Sequence, residues 1–600
     1  MAKKPKKRPF AATHSGPKGS QSSPRKSDSE ASGVYGFFKD FGVRETIESI
    51  IIAVVLALMF RAFEAEAFII PTGSMAPTLQ GQHMDVECQQ CSVQYRTGAS
   101  YDSGSTPNAD RRSVTRTVCP ICQYEMVMDK SNPNHRSNNG DRILVNKFVY
   151  DFEKPERFDV IVFKNPNNGK QNYIKRLVGL PGDNLLIESG NVYDMVSSGT
   201  NEWEREIIRK PPGKLKVMLQ LVDDTNHIAP KLTEVNWPSR WQSWEQGGAA
   251  PWTVVQSGEH PNFIVDAGNQ TSWLSYRHLA PRGEEWVDIE QGVRPTRIDG
   301  NLGQLITDYY TYNDKVVKFS NGVMRDDRSL AGHWVGELAV DADIQIESKR
   351  GTLILKAVQG GADFRCEIDV ATGKATLSSS DETVQFVNGE TRSATSTAET
   401  NLVGEGAYQI LYANADNRIY LWINNRLVEF DAATYVRGSD VVPTWTPENH
   451  GDAEPLAIGA RDLKARVTRL KVLRDIYYTA ATTRDQISAE FLTTNGLTPG
   501  EQVFQRRQLF QSPQEWSSPE SIAIFNQNKG RTEPMFPLGE GQYFPMGDNS
   551  PSSLDARVWG GPHVLPEDML IGRAMYVYWP HSLNSPIPYF PNFGRMGFIR

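Results

Sequence analysis

An excess of either charge is nearly absent: 64 basic against 71 acidic residues leave a formal net charge of -7 over 600 residues. So small an imbalance argues against nucleic-acid binding, and no helix-turn-helix pattern is present. Histidine is scarce at ten and cysteine at five. No histidine arrangement suggests catalysis, and His83, without metal-ligand spacing, reads as a surface residue. Long hydrophobic runs are missing too. The only membrane candidate has an uninterrupted apolar run, Ile50 to Phe60, shorter than the roughly 20 residues that span a bilayer. Long helical periodicities are few beyond Ile70, which leaves a mainly β chain. Its length predicts several domains.

Residues 1–43 carry Lys3, Lys4, Lys6, Lys7 and Arg8, and their first 33 positions hold almost no large apolar side chains; they read as a disordered, basic cytoplasmic tail. Residues 44–70 are expected to form a transmembrane helix, with Arg61 and Glu64 snorkelling to extend the short apolar run. A removable signal peptide is not expected. The positive-inside bias then predicts a single-pass protein of the cytoplasmic (inner) membrane, N-terminus inside and the remainder outside, in contact with membrane lipid.

Arg142 to Tyr150 and Asp159 to Lys164 have the β-branched and aromatic content of strands, with turn residues PNNGK after the second, and are expected to be neighbours. Residues 184–330 show weak periodicity and no motif. From about Trp334 to Leu473 the pattern sharpens, with ELAVDADIQIES, GTLILKAVQ and NRIYLWINNRLVEF read as alternating strand segments, and Asn424-Asn425 predicts a hairpin. The run IYLWINNRLVEF with RVTRLKVLRD resembles laminin-G or concanavalin-like jelly rolls. A spacer or partner-binding role is favoured for this β-sandwich, a lectin role being the alternative; its ligand is unknown.

Three segments carry chemistry. In FIIPTGSMAPTL, Pro71, Gly73 and Pro77 can fix Ser74 in one orientation; a turn serine is the plain alternative. In YIKRLVGLPGD, Lys175 lies in an otherwise apolar strand-like run, where desolvation favours the neutral amine that can accept a serine proton. The plain alternative is a solvent-facing edge lysine, and Arg176 next to it would face the opposite side. In MGDNSPSSLDARVWG, Asp548, Asp555 and Arg557 can form a buried charged network, with Ser553 orienting the amine.

These segments, with GDRILVNKF between the first two, resemble in order and character the conserved boxes of bacterial type I signal peptidases. The resemblance covers about residues 45–80, 140–185 and 535–600. It implies a β catalytic core of that type with Ser74 as nucleophile, Lys175 as general base, Thr72 as an oxyanion donor, Ser553 steadying the lysine, and Asp548, Asp555 and Arg557 as structural support. Ala556 departs from members that have a second serine, and the long interval between Lys175 and Asp548 departs from compact members. The implied domains are a core in two parts, 71–183 and 535–600, a zinc-ribbon-like insertion at 84–128, an insertion of unknown fold at 184–330, the sandwich at 331–476 and a connector at 477–534. The implied activity is removal of signal peptides from exported preproteins, without a catalytic cofactor. The alternatives are a catalytically inactive binding protein that works through its sandwich, or a peptidase dedicated to one secretion-system substrate.

The pairs Cys88/Cys91 and Cys119/Cys122 have the C-x-x-C spacing that aims two thiolates at one ion, so a structural, tetrahedral zinc is favoured. Two disulfides are the alternative. Cys366 reads as a buried small apolar residue.

Overall fold

The computed structural model describes residues 45–55 and 65–599, apart from 101–111, 130, 133–134, 198, 200–202, 244–248, 258–259, 299–301, 320–321, 323, 327–331, 439–440, 481–498, 527–532, 560 and 583–589. Two compact units divide the chain after Ala62. Of the first, residues 45–55 are described, and they are helical.

The expected membrane span is not found among the described residues. Among the described residues no helix is long and apolar enough to cross a membrane, which overturns the single-pass, inner-membrane expectation. Ala65–Ile69, assigned to the end of that span, is a strand antiparallel to Arg142–Asn146. Its backbone groups are satisfied across a ladder rather than along a helix, so sheet structure begins before residue 71. The basic tail and the snorkelling residues Arg61 and Glu64 lie outside the described residues.

The second unit is mainly β. One sheet runs in the order Ala65–Ile69, Arg142–Asn146, Leu570–Trp579, Val160–Asn165, Asn168–Gly179, Gln542–Met546, Leu565–Pro566, with Gly597–Phe598 paired to Leu570–Trp579. The strands around residues 142–146 and 160–165 are therefore not neighbours: Leu570–Trp579, from the far end of the chain, lies between them. The first of the two also ends at Asn146, and Val149–Phe152 is a helical turn. This sheet joins the N- and C-terminal segments that carry the chemistry.

A four-stranded sheet follows, ordered Trp203–Ile207, Asn191–Ser197, Asn184–Glu188, Phe536–Pro537. The sandwich is built from an eleven-stranded and a seven-stranded sheet. Their inward side chains, among them Trp241, Phe263, Phe364, Tyr412 and Leu470, share one core. Both sheets recruit strands from a stretch without a sequence motif: Gln220–Asp224 and His260–Asp266 pair with Lys464–Arg474, and Ser272–Tyr276 pairs with Leu456–Arg461. Asn424 and Asn425 both take positive φ, 48° and 67°, in the hairpin that joins Arg418–Ile423 to Arg426–Leu427, as a two-residue turn of this hand requires. Cys366 is fully buried within a strand.

The cysteine-bearing region consists of the hairpin His83–Glu87/Gln94–Gly98 and a four-stranded sheet in which Lys315–Phe319 pairs with Arg112–Val118. The chain therefore returns to this region from two hundred residues away, and the segment leading into that strand runs behind Ser74.

Candidate active site

Ser74 sits in a short 3-10 turn, Gly73–Met75, preceded by the extended residue Thr72. Gly73 is required by crowding: a Cβ there would lie 2.1 Å from the Tyr312 ring. Gly547 closes the turn from the other side, where a Cβ would meet Ser553 Oγ at 2.2 Å and the Ser74 carbonyl at 2.4 Å. Asn549 ties the two segments together, its backbone amide donating to the Ser74 carbonyl (3.0 Å) and its side-chain amide to the Gly73 carbonyl (2.9 Å).

Lys175 lies on the strand Asn168–Gly179. Its Nζ donates to Ser74 Oγ at 2.7 Å and to the Ile174 carbonyl at 2.9 Å. Both residues are buried. Burial pushes the amine down to about 8, against the opposing pull of Asp555 and, more weakly, Asp548, because a charged amine loses more hydration than a neutral one.

Strand alternation sends the next side chain to the opposite face. There Arg176, fully buried, grips Asp548 in a two-pronged ion pair with Nε and Nη2 each 2.7 Å from a carboxylate oxygen. Thr78 adds a hydrogen bond to the same carboxylate at 2.5 Å. The pair joins the lysine strand to the MGDNS turn and to the chain just beyond Ser74. Asp555 pairs instead with Arg557 (2.6 Å), whose guanidinium also donates to the Thr479 carbonyl and Ser550 Oγ. Burial alone would raise the Asp555 carboxyl, but Arg557, with Ser553 and the Gly547 amide, holds it below its ordinary value. The two aspartates thus belong to separate ion pairs rather than to one network.

The structure brings Ser74 and Lys175 together and sets Asp548, Asp555 and Arg557 around them. Thr72 is exposed beside the turn, its hydroxyl free of a capping bond. Ser553 is buried against Gly547, its hydroxyl near the Asp555 carboxylate but without a well-formed hydrogen bond, including any to Lys175. Arg176, Thr78, Asn549, Tyr312 and Asn313 complete the surroundings without having been singled out in sequence. The alternation that turns Arg176 away from Lys175 was the one available signal.

His83 is fully buried, not on the surface. Its Nδ1 lies 2.7 Å from the Gly81 carbonyl and its Nε2 3.2 Å from His581 Nδ1, while His581 Nε2 lies 2.5 Å from Asp85. Burial pushes His83 down to about 4, and His581 with Arg96 holds Asp85 near 2 against its own burial.

Cys88, Cys91, Cys119 and Cys122 are buried, unbridged, and have their sulfurs within 4.8 Å of one another. The closest pairs, Cys88/Cys122 and Cys91/Cys119, are 3.5 Å apart. That is far beyond a disulfide bond of about 2.05 Å and close to the ~3.8 Å edge of a tetrahedron of thiolates 2.3 Å from zinc. The two knuckles repeat each other. Ser92 and Gln123 take positive φ directly after each second cysteine, and Cys88 and Cys119 each accept from that residue and donate to the next apolar one, Val93 or Tyr124. The donor set fits a structural ion with no open position.

A buried hydroxyl in contact with a desolvated amine is an arrangement that can serve nucleophilic hydrolysis. Comparison with known proteins narrows the class. The family described as "Signal peptidase, peptidase S26" matches residues 118–210 and 486–579, which include Lys175, Asp548, Asp555 and Arg557 but not Ser74. A signal peptidase I from Buchnera aphidicola subsp. Baizongia pistaciae is 47% identical over 58 residues, 8% of this chain and 19% of that protein. A probable signal peptidase I-2 from Synechocystis is 27% identical over 152 residues (24% and 43%), and a signal peptidase I from Rickettsia bellii 29% over 146 (24% and 37%). These similarities support a serine peptidase of the signal peptidase I kind, although the chain spans less than half the length of each of the three. Among solved structures, Caenorhabditis elegans galectin LEC-6 aligns over 23% of this chain and 83% of its own at 7% identity and a TM-score of 0.16. The carbohydrate binding module CBM66 from Bacillus subtilis aligns over 26% and 79% at 15% identity and a TM-score of 0.15. Likeness this low carries no argument about the sandwich.

Proposed function

We propose that this chain is a serine endopeptidase that removes signal peptides from exported preproteins, with Ser74 as nucleophile and Lys175 as general base. The observation that carries the reading is the 2.7 Å contact between Lys175 Nζ and Ser74 Oγ in a buried site. An amine whose pKa is about 8 is neutral in an appreciable fraction of molecules near neutral pH, and only that fraction can take the hydroxyl proton. Ser74 Oγ would then attack the scissile carbonyl, with Thr72 and the Ser74 amide receiving the oxyanion. The resulting ammonium would protonate the leaving amine, and once neutral again the same amine would draw a proton from water to release the acyl group. Arg176–Asp548 and Asp555–Arg557 hold the lysine strand and the serine turn in register without touching the reacting atoms. Ser553 would orient the lysine only after its hydroxyl turns from the Asp555 side.

The test is cleavage of a preprotein by wild type, Ser74→Ala and Lys175→Ala in parallel. Loss of about 10⁴-fold or more in either variant is expected, and cleavage by Ser74→Ala at the wild-type rate would exclude the reading. For the cysteine centre we infer one structural zinc per chain, held by Cys88, Cys91, Cys119 and Cys122. Elemental analysis should find one equivalent, and chelation should free four thiols to a chromogenic reagent. Four sulfurs that stay unreactive until a reductant is added would instead mean disulfides.

A further inference from the structure

The segment leading into the strand Lys315–Phe319 lies more than two hundred residues from both Ser74 and Asn549, yet it meets the serine turn directly. Asn313 and Asn549, both buried, exchange side-chain amide hydrogen bonds: Asn313 Nδ2 donates to Asn549 Oδ1 at 2.6 Å, and Asn549 Nδ2 donates to Asn313 Oδ1 at 2.8 Å. The exchange fixes which way the Asn549 amide points. Its NH2 is thereby turned toward the Gly73 carbonyl, where the flipped amide would set oxygen against oxygen. One residue earlier, the Tyr312 ring occupies the space a side chain at position 73 would need, and its hydroxyl donates to the Gln82 carbonyl.

The other end of this strap is equally anchored. Thr311 and Tyr309 donate their hydroxyls to the carbonyl of Val118, the residue immediately before Cys119. The Tyr312 carbonyl accepts from the Gly98 amide at 2.9 Å. A chain of direct contacts therefore runs from the cysteine centre through residues 309–313 to the two carbonyls that flank the nucleophile.

We propose that residues 312 and 313 form a positioning element for Ser74, supplied by an insertion rather than by the catalytic core. Asn313 orients Asn549, which sets the Gly73–Ser74 carbonyls, while Tyr312 walls the turn from behind. Neither residue touches substrate. The proposal rests on the serine-lysine reading of the same site, and what it adds is that the insertion is a working part of that site. Hydroxyl and amine must stay within about half an ångström of productive geometry, and a misplacement of about 1 Å can cost roughly a hundredfold in rate.

The experiment uses the full-length protein and one preprotein substrate, with Asn313→Ala, Asn313→Asp, Tyr312→Phe, Tyr312→Ala and, as a control on the exposed side of the following strand, Lys318→Ala. Asn313→Ala and Tyr312→Ala should lower kcat tenfold or more with KM within about twofold when assayed well below each variant's thermal midpoint, which the emptied Tyr312 site lowers in the second. Asn313→Asp, which keeps the acceptor but not the donor, should lie between Asn313→Ala and wild type, and Tyr312→Phe, which keeps the ring, should stay near wild type. Hydrogen exchange at the Asn549 amide should quicken in Asn313→Ala, a change the control does not produce. Wild-type kcat in Asn313→Ala, or a loss of kcat that merely follows a fall in thermal midpoint, overturns the proposal. Ser74→Ala run alongside separates the two levels: its full activity would overturn both, whereas its inactivity with an unaffected Asn313→Ala would overturn the positioning role alone.

Discussion

Two lysines of this protein are buried almost equally, Lys175 at 4% and Lys210 at 3% exposure, and their amines are driven in opposite directions. Lys175 faces a serine hydroxyl and a backbone carbonyl, and burial pushes it down to about 8. Lys210 lies between Asp416 and Asp475, at 2.7 and 2.8 Å, and these carboxylates with Glu337 nearby outweigh its burial and raise it well above the ordinary lysine value. Asp416 also accepts from the Lys210 backbone amide, so the clamp fixes the chain just after Trp203–Ile207 to the sandwich. Burial alone therefore does not make a lysine reactive. What distinguishes the two sites is whether the desolvated amine has a carboxylate in contact: with one it stays charged and holds structure, without one it is pushed toward the neutral form that the proposed mechanism requires.

The comparison breaks most visibly when each lysine is replaced by an apolar side chain of similar length. Lys210→Met leaves Asp416 and Asp475 buried without their cation, and breaking a buried pair from one side typically costs about 3–5 kcal/mol. The midpoint of urea unfolding should fall accordingly, and a loss below about 1 kcal/mol would mean that the clamp contributes little. Lys175→Met should do the reverse, removing an amine that has lost its hydration without gaining a counter-charge, for a gain of about 1–3 kcal/mol while cleavage disappears. The gain should depend on pH in a definite sense. The folded amine titrates near 8 and the unfolded one near 10.4, so between those values the unfolded chain binds more protons. Wild-type stability therefore rises with pH across that window and is lost as pH falls through about 8; Lys175→Met should lack the slope.

The two sites also differ in how far they could be read from sequence. Ser74, Lys175 and the MGDNS turn stand out because the local sequence marks them, by prolines and a glycine around the serine and by the adjacent Lys175 and Arg176 in an otherwise apolar run. The C-x-x-C pairs are legible for the same reason, since each knuckle is a short loop. The Lys210 clamp and the strap at 309–313 are not, because each consists of ordinary residues whose partners lie 191 or more positions away in sequence. Asp548 illustrates the boundary: its burial was expected, but its partner proved to be Arg176 rather than Arg557, a choice made by strand pairing between Asn168–Gly179 and Gln542–Met546. The span read over residues 44–70 failed at its end because alternation in Ala65–Ile69 suits a sheet edge, and a partner strand was available to satisfy the backbone.

The finest test of the comparison leaves both lysines in place and changes the charge around one. Asp555 is the leading anionic influence on Lys175, although it spends its hydrogen bonds on Arg557 and Gly547. Asp555→Asn keeps the shape of the side chain, and Arg557 retains its bonds to Thr479 and Ser550. Removing the negative charge leaves the Arg557 cation unopposed near the amine, so the Lys175 pKa should fall below about 8, by roughly one unit. The acidic limb of the kcat/KM profile should then move to lower pH by the same amount, with more of the enzyme in the base form at pH 7 even if the maximal rate is reduced by a looser site. A limb that moves to higher pH would mean that Asp555 acts on the amine through the position of Arg557 rather than through its own charge, and the contrast between the two lysines would then rest on geometry more than on counterions.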